Sequence, residues 1–244
     1  MRSLSARELL DIWESGARQP LAQRALWLLT AAQPDTSYEA LAQLPIGQRD
    51  ALLLTLRERL FGTQIVSVAS CPQCGERLQL TLSTSELHMT KETRLNTLST
   101  EVGRYVIQYR LPNSVDLLLV ARCDNVEAGR RLLLSRCLLS IQCEGVEQPI
   151  ETAPPEVTDT VAAHMAEADP QADVQLDLRC PACVHGWQAA FDVMAFFWGE
   201  IDRWARRVLQ EVHVLATAYG WSEADILSMS AMRRQAYLDL IGGA

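Results

Sequence analysis

Val66-Ser67-Val68-Ala69-Ser70-Cys71-Pro72-Gln73-Cys74-Gly75-Glu76-Arg77-Leu78-Gln79-Leu80-Thr81-Leu82 reads as strand, tight turn, strand. Val66 and Val68 alternate with small or polar residues before the turn, and Leu78, Leu80 and Leu82 alternate after it. That period of two belongs to a half-buried strand. Pro72 and Gly75 suit the tight backbone between them. The arrangement returns once. Val174, Leu176 and Leu178 lead into Cys180-Pro181-Ala182-Cys183, and Trp187, Ala189, Phe191 and Val193 lead out. The chain is therefore expected to use one cysteine-tipped hairpin twice, with the 105 residues Gly75 to Arg179 between the pairs.

Four thiolates suit a tetrahedral zinc, and a Cys-x-x-Cys turn presents two sulfurs on one side. Cys71, Cys74, Cys180 and Cys183 would together complete one closed structural site, one zinc per chain, stapling distant stretches. The second turn departs from the first: Val184-His185-Gly186 stands where Gly75 follows immediately, and His185 is a spare ligand. Two coincidental pairs of reduced thiols, or a redox dithiol, are the competing readings. Redox motifs place Cys-x-x-Cys at a strand-to-helix junction, where the helix end lowers the thiol pKa; here strands follow both pairs. A catalytic zinc keeps an open coordination position. None of His88, His164, His185 and His213 has Glu two residues later, and no His-Glu-x-x-His, Gly-x-Ser-x-Gly or phosphate-cradling glycine loop occurs. The chain reads as no enzyme, with no catalytic residues and no organic cofactor. Cys137 falls on an apolar helix face and reads as core, and Cys123 and Cys143 as core or surface thiols. The rings of Phe191, Phe196, Phe197, Trp198 and Trp204 read as core around the second hairpin, with a partner interface as the other use of so many rings.

Helices are expected on both sides of this β region. Ser5 and Glu8 have capping-box spacing, Pro20 suits the first turn of a second helix, and Thr36 with Glu39 forms another box before a short helix ending near Pro45. A fourth helix carries Leu52, Leu53, Leu56 and Leu60 and should stop at Gly62. In the middle, Tyr105, Ile107 and Tyr109 suggest a strand and Pro112-Asn113 a turn. Asn125 to about Ile141 reads as a helix, and Pro154-Pro155 opens another that Asp169-Pro170 closes. From Ile201, an apolar stripe through Val208, Val212 and Leu215 runs to Tyr219, with Gly220 as stop. Two short helices capped at Ser222 and Ser230 follow. The fold class is α+β: helical N- and C-terminal parts around a small central β region. The expected regions are 1–62, 63–198 and 199–244, forming one continuous body because no Gly/Ser-rich linker separates them.

Composition narrows the function. The 244 residues carry 22 basic and 30 acidic side chains, a net charge of −8, which disfavours nucleic acid and anionic membrane as partners. Arg77 and Arg179 flank the cysteine turns, but Glu76 and Asp177 accompany them. The longest apolar runs are far short of a bilayer span. Seven cysteines, an odd number, with no signal-peptide pattern at the start, point to a reducing, cytoplasmic setting.

One block has a specific likeness. Leu215-Ala216-Thr217-Ala218-Tyr219-Gly220-Trp221-Ser222-Glu223-Ala224-Asp225-Ile226-Leu227, followed by Arg233-Arg234-Gln235-Ala236-Tyr237-Leu238, comes after the cysteine hairpins, Phe191-Asp192-Val193 and Phe196-Phe197. In this order the chain resembles the baseplate hub assembly proteins of T-even-type contractile-tailed phages, and more closely their relatives in phage-derived contractile injection systems. The resemblance covers most of the chain, its specific parts lying in about 60–244. Zinc is an inference from these cysteines, since T-even members often lack the full set. The resemblance implies a non-enzymatic assembly or structural protein, a chaperone or adaptor, in the cytoplasm and in the tail particle. It implies partners among the baseplate hub, spike or tube-initiating proteins. The alternatives are a zinc-ribbon nucleic-acid-binding module and a zinc- or thiol-dependent enzyme.

Overall fold

A computed structural model of the protein describes residues 1–89 and 97–242. Four helices come first: α1 (Ala6–Gly16), α2 (Leu21–Ala32), α3 (Tyr38–Ala42) and α4 (Ile46–Phe61). The Ser5–Glu8 capping box forms: the Ser5 hydroxyl accepts the Glu8 N–H at 3.3 Å and the Glu8 carboxylate accepts the Ser5 N–H at 2.9 Å. Arg2, then the Ser5 groups, hold the Glu8 carboxyl down at about 2. The expected Thr36 cap is replaced by Ser37, whose hydroxyl accepts the Ala40 N–H at 3.1 Å. The helix opens at Tyr38, so the extended residue before it is Ser37. Gly62, at φ +88°, ends α4 as expected. Leu26, Leu28, Leu29, Leu53 and Leu56 are fully buried in the largest apolar cluster.

The chain then forms an antiparallel pair, β1 (Gln64–Ser70) with β2 (Arg77–Ser83), in the register Gln64↔Ser83 to Ser70↔Arg77. A one-turn helix, α5 (Thr84–Leu87), follows. The middle is an antiparallel sheet in the order β3 (Leu98–Val102), β4 (Tyr105–Tyr109), β5 (Leu138–Cys143), β6 (Val146–Gln148). Between β4 and β5 lie α6 (Ser114–Val120) and α7 (Val126–Cys137), and α8 (Pro155–Ala168) covers the sheet. Two expectations fail here. Pro112-Asn113 is not a free turn: Asn113 accepts the Asp116 N–H at 3.1 Å and caps α6. The helix expected through Ile141 ends at Cys137, and the next six residues form β5, which pairs with β4 across a register shift at Gln108/Tyr109. Ile141 fits helical spacing with Cys137, but it reaches the same cluster from a strand, beside Ile107, Val161 and Met165.

The second hairpin pairs β7 (Gln175–Arg179) with β8 (Gly186–Ala190), so Phe191 and Val193 fall beyond its strand. Asp192 accepts the Ala195 N–H at 2.8 Å and opens α9 (Val193–Tyr219). The stripe expected from Ile201 therefore begins eight residues earlier. Val193, Phe197, Ile201, Ala205, Val208, Val212 and Leu215 form one buried face, spaced by threes and fours. At about 1.5 Å per residue this helix is roughly 40 Å long. Its first half closes the large cluster. Its second half forms a third cluster with Leu10 and Ile226, covered by α10 (Glu223–Ser228) and α11 (Ala231–Gly242). Close approach shapes one contact: a Cβ on Gly16 would come 2.5 Å from the Trp198 ring, so at this point α1 packs on α9 through a glycine.

Candidate metal centre

Both cysteine turns adopt one backbone loop. The Cys71 N–H donates to the Glu76 carbonyl at 2.8 Å and the Gly75 N–H to the Cys71 carbonyl at 2.9 Å. In the second turn, Cys180 donates to the His185 carbonyl at 2.9 Å and Val184 to the Cys180 carbonyl at 3.0 Å. The loop needs a left-handed residue after the second cysteine. Gly75 supplies it at φ +75°, and Val184 is forced into it at φ +63°. For a β-branched residue that conformation costs about 1–2 kcal/mol.

The turns meet tip to tip. The four Sγ atoms of Cys71, Cys74, Cys180 and Cys183 lie within 4.8 Å of one another. Two contacts cross between hairpins, Cys71–Cys183 and Cys74–Cys180, each at 3.6 Å. Disulfide sulfurs would sit about 2.05 Å apart, and all four cysteines are free. Bonds of about 2.3 Å to one tetrahedral ion set sulfurs about 3.8 Å apart, so the spacing suits a metal. Cys71 and Cys180 are buried, Cys183 is half-buried and Cys74 is exposed. Electrostatics favours a cation in their midst. Burial opposes ionisation of Cys71, but the N–H groups of Cys74 and Gln73 and the thiols of Cys183 and Cys74 bring it to about 7. The Glu76 N–H favours the Cys74 thiolate, yet Cys183, desolvation, Cys180 and Cys71 together push it up to about 12. Cys183 is also raised, despite the His185 N–H, by desolvation and by Cys180 and Cys71. A divalent ion would remove this mutual penalty, and four soft donors are a set that zinc accepts.

The hairpins are rooted in the large apolar cluster through Ile65, Leu87, Val174 and Phe191. Backbone bonds close both bases: Thr84 N–H to the Thr63 carbonyl at 2.9 Å, and Phe191 N–H to the Val174 carbonyl at 2.8 Å. Arg57, 2% exposed, fixes the first root. Its guanidinium binds both Glu200 oxygens at 2.8 and 2.7 Å, and donates to the Gly62 and Gln64 carbonyls, each at 2.6 Å. One side chain thus ties α4, the start of β1 and α9 together. The sequence pattern did not mark it, although Arg57 lies four residues after Leu53, on the buried face of α4.

The remaining candidates lie elsewhere. The His185 ring stacks on Trp187, centroids 6.1 Å apart, and is not among the clustered donors. Cys137 is fully buried under the central sheet, its thiol pushed up to about 12 by burial. Cys123 and Cys143 are half-buried. The His164 Nδ1 lies 2.7 Å from the Thr100 hydroxyl, His213 is exposed and His88 half-buried. Of the five rings, Phe191, Phe197 and Trp198 are buried, and Phe196 and Trp204 pack against the core from partly exposed positions.

No described helix is long and apolar enough to cross a membrane. No curated protein and no solved structure matches the chain. A family model described as T4 bacteriophage base plate protein matches residues 28–198. The match leaves out the terminal block on which the resemblance leaned most. It runs from within α2 into α9, taking in both cysteine turns and over two thirds of the sequence. On that match the chain belongs to the family of T4 bacteriophage base plate proteins.

Proposed function

We propose that the protein is a non-enzymatic structural or assembly component, a chaperone or adaptor, of the baseplate of a contractile phage tail or phage-like injection system. A structural zinc held by Cys71, Cys74, Cys180 and Cys183 stabilises it. It is made in the bacterial cytoplasm and joins hub, spike or tube-initiating proteins. The match over residues 28–198 carries this reading; the four-sulfur cluster supports the zinc. The cation's work is structural: each hairpin is its own two-stranded sheet, and an isolated hairpin is marginal in water. A bridge at the tips closes a loop of more than 100 residues and removes much unfolded-chain entropy.

Co-expression with hub, spike and tube-initiating proteins, followed by purification through a tag on this chain, tests the role. Recovery of at least one of them in a stoichiometric complex is expected. Normal tail assembly in a host lacking the gene, with no such complex, would overturn the proposal.

A further inference from the structure

We propose that the cysteine joint has a second, covalent form in which Cys71 is bonded to Cys183 and Cys74 to Cys180. The idea rests on reading these four cysteines as one metal site. The two close sulfur contacts of 3.6 Å run across the hairpins. Each crossing pair combines one buried sulfur with a more accessible one: Cys71 with half-buried Cys183, and Cys180 with exposed Cys74. That is the arrangement of an attacked thiol beside its resolving partner.

With a peroxide as oxidant the chemistry balances. The accessible thiolate attacks one peroxide oxygen, the O–O bond breaks, and a sulfenic acid and hydroxide form. The buried thiolate then attacks that sulfur, the S–S bond forms and a second hydroxide leaves; two protons convert both hydroxides to water. Each pair loses two electrons to one peroxide, and the metal ion, stripped of its ligands, passes to solvent or a chelator. Bonds within one turn would leave the hairpins separate once the metal is gone. The crossed bonds keep them joined. A tail particle leaves a reducing cytoplasm for an oxidising exterior, and a crossed pair of disulfides preserves the joint there.

The test uses the full chain, its metal content first measured by elemental analysis. Hydrogen peroxide is added with a chelator present, released metal is followed, and disulfides are mapped by mass spectrometry of unreduced peptides. Two bonds, Cys71–Cys183 and Cys74–Cys180, are expected to form as metal is released. The oxidised protein should then keep its melting temperature in chelator until a dithiol reductant is added. Bonds Cys71–Cys74 and Cys180–Cys183, or sulfinic acids without disulfides, would overturn the proposal. A chain with no metal at the outset defeats the zinc reading alone, and its disulfide map still decides the pairing. Paired variants give a second readout. Cys71→Ser with Cys183→Ser keeps the crossing pair Cys74–Cys180 and should oxidise at least tenfold faster than Cys180→Ser with Cys183→Ser, which keeps the within-turn pair Cys71–Cys74; equal or reversed rates would sink the proposal.

Discussion

The two cysteine hairpins share a loop but differ in how each is built and rooted. The first has seven-residue strands and a glycine at the left-handed position, and it leaves the C-terminal end of α4 beside the Arg57–Glu200 pair. The second has five-residue strands and a strained valine. It exits into Asp192, a member of the carboxylate group that includes Asp50 and Asp169 near the N-terminal end of α4. The same loop forms with or without the favourable residue, so its pattern of backbone hydrogen bonds holds even at Val184. The first hairpin is secured at its root by one matched ion pair, whereas the second is rooted beside three carboxylates and the one guanidinium of Arg49, 2.7 Å from Asp50.

The largest effect should come from breaking what the hairpins share. On the proposed zinc reading, Cys74→Ser or Cys180→Ser would leave three ligands and release the loop between the pairs, and should lower the melting temperature by more than about 10 °C. Cys137→Ser, in the central cluster, should cost far less, and thermal melts of the three variants provide the comparison. Equal losses in all three would mean that the turns are not a metal staple.

Next comes the root of the first hairpin. Arg57→Ala strands Glu200 and two carbonyls, and removing one partner of a buried pair costs about 3–5 kcal/mol. Urea unfolding measures it, and amide exchange in Gln64–Ser70 should rise more than in Gln175–Arg179.

A pH effect belongs to the second root. Burial raises the Asp50 carboxyl to about 6; Arg49 opposes this, while Asp192 and Asp169 add to it. Its folded value lies above the unfolded one, so the folded state holds the extra proton between about pH 4 and 6. Stability linked to Asp50 is therefore present below that window and is lost as pH rises through about 6. Asp50→Asn should flatten the change in melting temperature between pH 5 and 7.5, and an unchanged slope would remove Asp50 from this account.

The smallest effect separates the turns themselves. Gly75→Val imposes the strain that Val184 already bears and should cost about 1–2 kcal/mol. Val184→Gly relieves that strain but frees the unfolded chain, which offsets up to about 1 kcal/mol. The net change should be near zero or slightly stabilising. Denaturation midpoints of the two variants would sharpen the comparison, and equal losses would contradict it.

What could be read from the sequence was local. Alternation around Cys71 and Cys180, the Ser5–Glu8 box and the Gly62 stop are short-range signals, and each appears in the fold. Long-range partners carry no such mark. Leu138 to Cys143 is a strand because β4 pairs with it, and its helical spacing from α7 misled. Only two of the four central strands lay on clear signals or within a misread helix; β3 and β6 are short and polar on one face. At the centre, spacing indicated that four thiols were available. It gave no sign of the buried Arg57–Glu200 pair or of Asp169, whose carboxylate accepts the Gly47 N–H at 2.9 Å from 122 residues away.

The central claim is that the two hairpins are one metal joint. Elemental analysis of the full chain, purified without added metal, tests it most directly when paired with thiol titration of the native protein. The account predicts one zinc per chain, with Cys71, Cys74, Cys180 and Cys183 protected from the thiol reagent until a chelator is added. Less than about 0.1 metal ion per chain, with those four thiols reacting freely in folded protein, would contradict it.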